Sequence, residues 1–367
     1  MNARPTAAPR LPALFAVAAL LAVLVTSAAL SPAAQAAYDP VGSGSMKLAL
    51  DKGFRSFLKA HGASLTATGP AKLTAKATIF PASGGEVDPT IGKGTVELEG
   101  GLVIKAGAKH LSLGHLMVKA KRTPLLAKLG GSQLKIVTAA QIASRREGFG
   151  MGFTATRLKL TAKAATRLDK RLRLKDAFTA GQLLGTLASK TEPATTTVLP
   201  AGRAAIAFGS QILAKLDSLH VSVNPIFPAE HVGPTFTFPI VVGGTIAPDG
   251  AAGTLRSGGD VEFLQLGGGQ VFWHEPWLDL GARVDSAEAN IQPSPPYPGK
   301  QGRVGLLDLG AAALSSEPAA RTVTVSSAPL TLQAATAAAF NQAFAQGKEV
   351  FRAGEALGAL SFTAQGQ

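Results

Sequence analysis

Six histidines carry most of the coordination chemistry in this sequence: His61, His110, His115, His220, His231 and His274. His110 and His115 stand five apart, a spacing that puts two strand residues on opposite faces and argues against a shared two-histidine metal site. His274-Glu275 has no second histidine at ligand spacing. Cysteine is absent, which excludes disulfides, thiolate metal centres and cysteine nucleophiles. No G-x-S-x-G elbow, H-E-x-x-H, phosphate-binding G-x-x-x-x-G-K-[ST] or strand-preceded G-x-G-x-x-G occurs, and Gly267-Gly268-Gly269 reads as a turn. Glu97 and Glu99 fall on one face of a strand and are expected to be solvated. So few side chains suit acid–base or nucleophilic work that the expectation is a protein that binds, not an enzyme.

The run Phe272-Trp273-His274-Glu275-Pro276-Trp277 holds both tryptophans. One reading makes it a flat platform for a stacking ligand, with Trp273 and His274 on it. The other places Phe272 and Trp273 on opposite faces of a strand, a bend at Pro276, and Trp277 in the core; it is favoured because buried aromatics dominate cores. Pro293-Ser294-Pro295-Pro296-Tyr297-Pro298 reads as an extended, stiff surface connector.

Charge is uneven. Residues 37–180 carry 24 Lys and Arg against 9 Asp and Glu, a net of +15; residues 181–367 carry 10 against 14, a net of −4. A half this basic is drawn to anionic surfaces such as cell-envelope polymers or lipid headgroups. The simpler reading, that lysines protect exposed strand edges, carries slightly more weight. Nucleic acid is disfavoured, because the basic half lacks the exposed aromatics that stack bases.

The elements that must position these residues begin after residue 36. Arg4 and Arg10 precede an apolar stretch from Leu11 to Leu30, and Ala34-Gln35-Ala36 before Ala37 matches an A-x-A cleavage site. This order is that of a secretory signal peptide, cut between Ala36 and Ala37, and it implies a secreted, extracellular or cell-wall-associated protein. Met46 to His61 reads as a helix, with Leu48, Leu50, Phe54, Phe57 and Leu58 as its apolar stripe and His61-Gly62 as its stop.

Beyond it the hydrophobic period changes to two, between turns rich in Gly, Pro and Asp, which predicts antiparallel strands with one buried face. Arg157-Leu158-Lys159-Leu160 and Arg171-Leu172-Arg173-Leu174-Lys175 read as basic-faced strands flanking an Ala-rich stretch able to be helical.

The pattern repeats. Residues 79–105 and 236–263 both run Phe-Pro, Gly-Gly, a Pro-containing turn, Gly-Thr, a strand, Gly-Gly and a strand. Residues 195–214 echo 322–345 in passing from a Thr/Val strand to an Ala-rich helix. The expectation is a mainly β fold of two tandem antiparallel modules with one or two short helices each. The first spans 37–222 and is basic; the second spans 223–367, is neutral to acidic, and has no evident counterpart of the opening helix.

The opening Gly53-Phe54-Arg55-Ser56-Phe57, the Phe80-Pro81 turn, Gly94-Thr95-Val96-Glu97-Leu98-Glu99-Gly100-Gly101-Leu102, and the closing Arg352-Ala353-Gly354-Glu355-Ala356-Leu357 resemble the HtaA domain of actinobacterial surface and secreted proteins. The resemblance covers most of 46–220 and 235–364. It implies a displayed β module that captures heme or passes it to an importer. In that family a tyrosine in or just after the opening helix holds the iron, supported by a histidine in the strand region. The matching helix position is Phe57, Phe351 stands where a second tyrosine is expected, and His110 falls in the histidine region. Two hypotheses follow: a heme- or hemoprotein-binding module with His110, His115 or His274 as ligand, and an adhesive envelope protein whose basic module docks on anionic cell-envelope polymer.

Overall fold

A computed structural model describes residues 38–121, 123–129, 132–292 and 300–367. The leader with its Ala36/Ala37 junction and the proline run that holds Tyr297 lie outside them. The structure has two sheets, of twelve and thirteen strands, antiparallel throughout and each with its own apolar core.

The first sheet begins with β1 (Asp39–Leu50), helix α1 (Lys52–Ala60), β2 (Ala63–Thr68), β3 (Lys72–Leu73) and β4 (Thr78–Asp88). It continues through β5 (Lys93–Leu98), β6 (Gly101–Ala106), β7 (Lys109–Ala120), β8 (Thr123–Leu129) and β9 (Ser132–Thr138). It closes with β10 (Gln141–Glu147), β11 (Gly150–Leu160), helix α2 (Ala162–Leu172) and β12 (Leu183–Pro193).

The second opens with β13 (Thr196–Phe208), helix α3 (Ser210–Ser218), β14 (Val221–Ile226), β15 (Glu230–Val232), β16 (Thr235–Pro239) and β17 (Thr245–Ile246). Then come β18 (Gly253–Arg256), β19 (Asp260–Gln265), β20 (Gln270–Asp279), β21 (Val284–Gln292) and β22 (Lys300–Leu309). Last are β23 (Ala313–Glu317), β24 (Thr322–Leu332), helix α4 (Ala334–Ala345) and β25 (Ala356–Gly366).

The two sheets share one wiring. The first pairs in the order β2-β6-β7-β5-β4-β1-β12-β11-β9-β8, and the second in the order β14-β19-β20-β18-β17-β13-β25-β24-β22-β21. Matched place by place, β13 corresponds to β1, β14 to β2 and β25 to β12. Extra pairings β7–β8 and β20–β21 return each path on itself, so eight strands of each copy close into a barrel. Closure leaves the barrel strands no free edge.

Both copies use the same local devices. His115 (φ 46°) bends β7 between the part paired to β6 and the part paired to β5, and Glu275 (φ 45°) bends β20 at the matching place. Gly185 and Gly358 sit where β12 and β25 cross the first strand of their copy. A Cβ at either would lie within about 2 Å of a backbone carbonyl, of Ala49 or Ala207 respectively.

Several expectations are corrected. Residues 46–50 belong to β1, not to a helix: Met46 and Leu48 are buried and Lys47 between them is exposed, a period of two. Asp51 then starts α1 by accepting the Gly53 amide at 2.7 Å. Arg157–Leu160 is strand as expected, but Arg171 and Leu172 end α2, with Arg173 as a left-handed cap.

The expected module break at 222/223 falls inside β14, whose partner β19 is in the second sheet. The sheets change between Pro193 and Thr196. Residues 195–214 are therefore the opening strand and helix of the second copy, and α3 is the counterpart of α1 that the sequence hides. The true match of 322–345 is β11 and α2. The charge contrast is unaffected, because Lys190 and Glu192 cancel.

Three side chains of the first copy, Phe149, Asp39 and Arg146, reach the second. Phe149, at the tip of the β10–β11 hairpin, belongs to the second copy's core, where its ring lies against Gly366. Asp39 of β1, only 1% exposed, accepts the Thr196 hydroxyl at 2.9 Å and the Thr197 amide at 3.3 Å. Arg146 donates to the Gln367 carbonyl and to the Thr90 hydroxyl, each at 2.6 Å.

Candidate functional site

The site is built at the C-terminal end of α1. Phe54 and Leu58 turn into the core and fix the helix, which leaves Phe57 half-buried and His61 exposed one turn later. Phe178, just beyond α2, covers the other side. It is held there because Asp169 accepts the amides of Ala177 (3.2 Å) and Phe178 (3.1 Å). The Phe57 ring meets Phe178 edge-on at 5.2 Å and lies 4.3 Å from the His61 ring.

His61 Nδ1 lies 2.9 Å from the Phe57 carbonyl oxygen. A carbonyl only accepts, so Nδ1 carries the proton, and the neutral ring then presents its lone pair on Nε2. The result is an outward imidazole nitrogen beside an aromatic wall, held in one tautomer by its own helix. Such an arrangement suits an axial ligand to a metal in a flat, apolar macrocycle.

The second copy fills the same place with charge. Lys215 of α3 stands where Phe57 stands in α1, and its Nζ donates to Glu355 Oε1 at 2.5 Å and the Val350 carbonyl at 3.0 Å. Phe351, 1% exposed, takes the place of Phe178, and Asn341 accepts the Val350 and Phe351 amides as Asp169 does in the first copy. Leu219 replaces His61. The second copy thus closes with an internal ion pair the corner that the first leaves open.

The other sequence candidates are dispersed. His110 is exposed near the start of β7, on the rim of a basic groove. His115 is exposed too; the bend it forms cancels the alternation that was expected to put it opposite His110. Trp273 is 1% exposed and packs on Phe263 and Phe340, inside the second core. Trp277, expected in the core, is half-buried with the guanidinium of Arg256 at 4.2 Å and that of Arg303 at 3.6 Å from its ring centre.

His274 keeps its Nδ1 on Asp260 at 2.8 Å and stacks on Phe272. It is a second oriented imidazole, but it stands in the other copy. Among the described residues no cluster of three or more His, Asp or Glu is arranged to hold a metal ion, and no helix is long and apolar enough to cross a membrane.

In the sequence alone, His61 reads only as a helix stop. The signal that marks it is the Phe57–His61 spacing of four, which stacks two rings on one helix face.

No family model matches the sequence, and no curated protein matches it. Solved structures do resemble parts of the fold. The C-terminal domain of HtaA from Corynebacterium glutamicum aligns with 46% of this chain and 98% of its own length, at 16% identity and a TM-score of 0.37. The N-terminal domain of the same protein aligns with 46% of this chain and 99% of its own, at 16% identity and 0.34. The heme-binding protein HtaB from the same organism aligns with 47% and 95%, at 12% identity and 0.33. Each alignment spans about half of this chain, the length of one copy.

Proposed function

We propose that this chain is an exported, non-catalytic protein that binds heme in its first copy, at the corner formed by Phe57, His61 and Phe178. The observation that carries this reading is the His61 ring: its Nδ1 is committed to the Phe57 carbonyl, and its Nε2 is left exposed beside aromatic side chains. Heme iron needs an axial ligand, and an imidazole whose second nitrogen is hydrogen-bonded is a pre-oriented one. Bound heme would supply the iron, while the chain supplies a ligand nitrogen and an apolar wall. The resemblance of 46–220 to HtaA domains supports the same ligand class, and the signal-like leader supports a place outside the cytoplasm.

Hemin titration followed by absorbance tests this. The expected result is a shifted Soret band with the wild type and its loss with His61→Ala, while His110→Ala and His274→Ala keep it. A band unchanged in His61→Ala, or lost in His110→Ala or His274→Ala alone, contradicts the assignment.

A further inference from the structure

The β6–β7 turn and the last turns of α2 face each other across an open groove of about 850 Å³. Lys109 and His110 line one wall; Arg167, Lys170, Arg171 and Arg173 line the other. Five formal positive charges meet there, and no carboxylate is among the lining residues. None of the five forms an ion pair with an acidic side chain among the described residues. The one acid of α2, Asp169, is turned away to hold Ala177 and Phe178.

Part of this has a structural cause, since cations favour a helix C-terminus. That effect does not reach Lys109 on another element, nor does it require Arg167, more than a turn inside the helix. Arg167, Lys170 and Arg171 stand at i, i+3 and i+4, so they share one helix face and repel one another.

The duplication supplies an internal control. Helix α4 occupies the same place in the second copy and ends in the same left-handed cap, Gln346 at φ 54° against Arg173 at φ 55°. Yet its sequence, AATAAAFNQAFA, has no charged residue, and the facing turn, Leu266-Gly267-Gly268-Gly269, has none either. The fold therefore forms without these cations; in the first copy they are an addition to both walls of one groove.

We infer that this groove binds a soluble anion carrying several phosphate groups along a chain. Guanidinium forks match phosphate oxygens two at a time, and five unpaired cations exceed what a single phosphate neutralises. Binding also relieves the mutual repulsion of the groove cations.

The test is calorimetric titration of the mature chain with inorganic tripolyphosphate, beside vesicles of phosphatidylglycerol. The expected result is one-to-one, salt-sensitive binding of tripolyphosphate that weakens ~10-fold or more in an Arg167→Gln, Arg171→Gln double variant. A Lys72→Gln, Lys76→Gln variant removes the same charge from exposed positions outside the groove and should change affinity less than about twofold. Far-ultraviolet circular dichroism verifies that α2 persists. No heat with tripolyphosphate, equal weakening by both variants, or binding to the vesicles alone overturns the inference.

Discussion

His61 shows how one hydrogen bond turns a helix-ending residue into a candidate ligand. The residue type and its position beside Phe57 were legible in the sequence; the tautomer was not, because it depends on Nδ1 meeting a carbonyl one turn back. The opposite holds for Trp273, whose fate was legible only as a choice between platform and core until its packing on Phe263 and Phe340 decided it. Lys215 carries no signal in the sequence, because its meaning comes from alignment with Phe57 and from Glu355, distant along the chain. Glu355 is mostly buried, so Lys215→Ala leaves its charge without a partner. That variant should lose roughly 1–3 kcal/mol, measured by denaturant unfolding, whereas hemin binding in the first copy should be unchanged.

At the scale of elements, the strands were read well because their turns and their alternation agree. The first helix was not, because Leu48, Leu50, Phe54, Phe57 and Leu58 satisfy a helical period even though Met46, Leu48 and Leu50 also satisfy a period of two. What decides is Asp51, an N-cap rather than an interior residue. Asp51→Ala should therefore destabilise by about 1 kcal/mol and loosen the helix that carries His61, a change readable as weaker hemin binding with the same spectrum. Gly185→Ala should cost more than ~1 kcal/mol, since a side chain there meets the Ala49 carbonyl at a left-handed φ of 149°. Gly358→Ala in the second copy should behave alike, and thermal melts of the two variants check that equivalence. A large loss from one and none from the other would separate the copies.

Across the whole molecule, the repeat was legible in Phe-Pro and Gly-Gly spacings, but its phase was not. By composition, β13 and α3 belong to the end of the first module, since they are Ala-rich like the closing helix, whereas strand order shows them to open the second. The coupling of the copies was invisible in sequence, since Phe149 is an ordinary hairpin residue until it enters its neighbour's core. Phe149→Ala should cost ~3–5 kcal/mol and split one unfolding transition into two, as followed by calorimetry.

Burial at the same junction raises the Asp39 carboxyl above its ordinary value, against the lowering effect of the Thr196 and Thr197 hydrogen bonds and of Arg146. A raised acid favours the folded state most when protonated. Its contribution is complete below the ordinary carboxylate value of 3.8 and is lost as pH rises through the raised one. Asp39→Asn should flatten that part of the stability–pH curve and leave the neutral side no worse than wild type.

A duplicated fold with one open ligand corner, in the first copy, and the other closed by Lys215 and Glu355 should bind a single hemin per chain. Counting hemin bound per chain at saturation, by the break point of the Soret titration, tests it most directly. One equivalent, abolished by His61→Ala, is the predicted result; two equivalents, or one that survives His61→Ala, would contradict it.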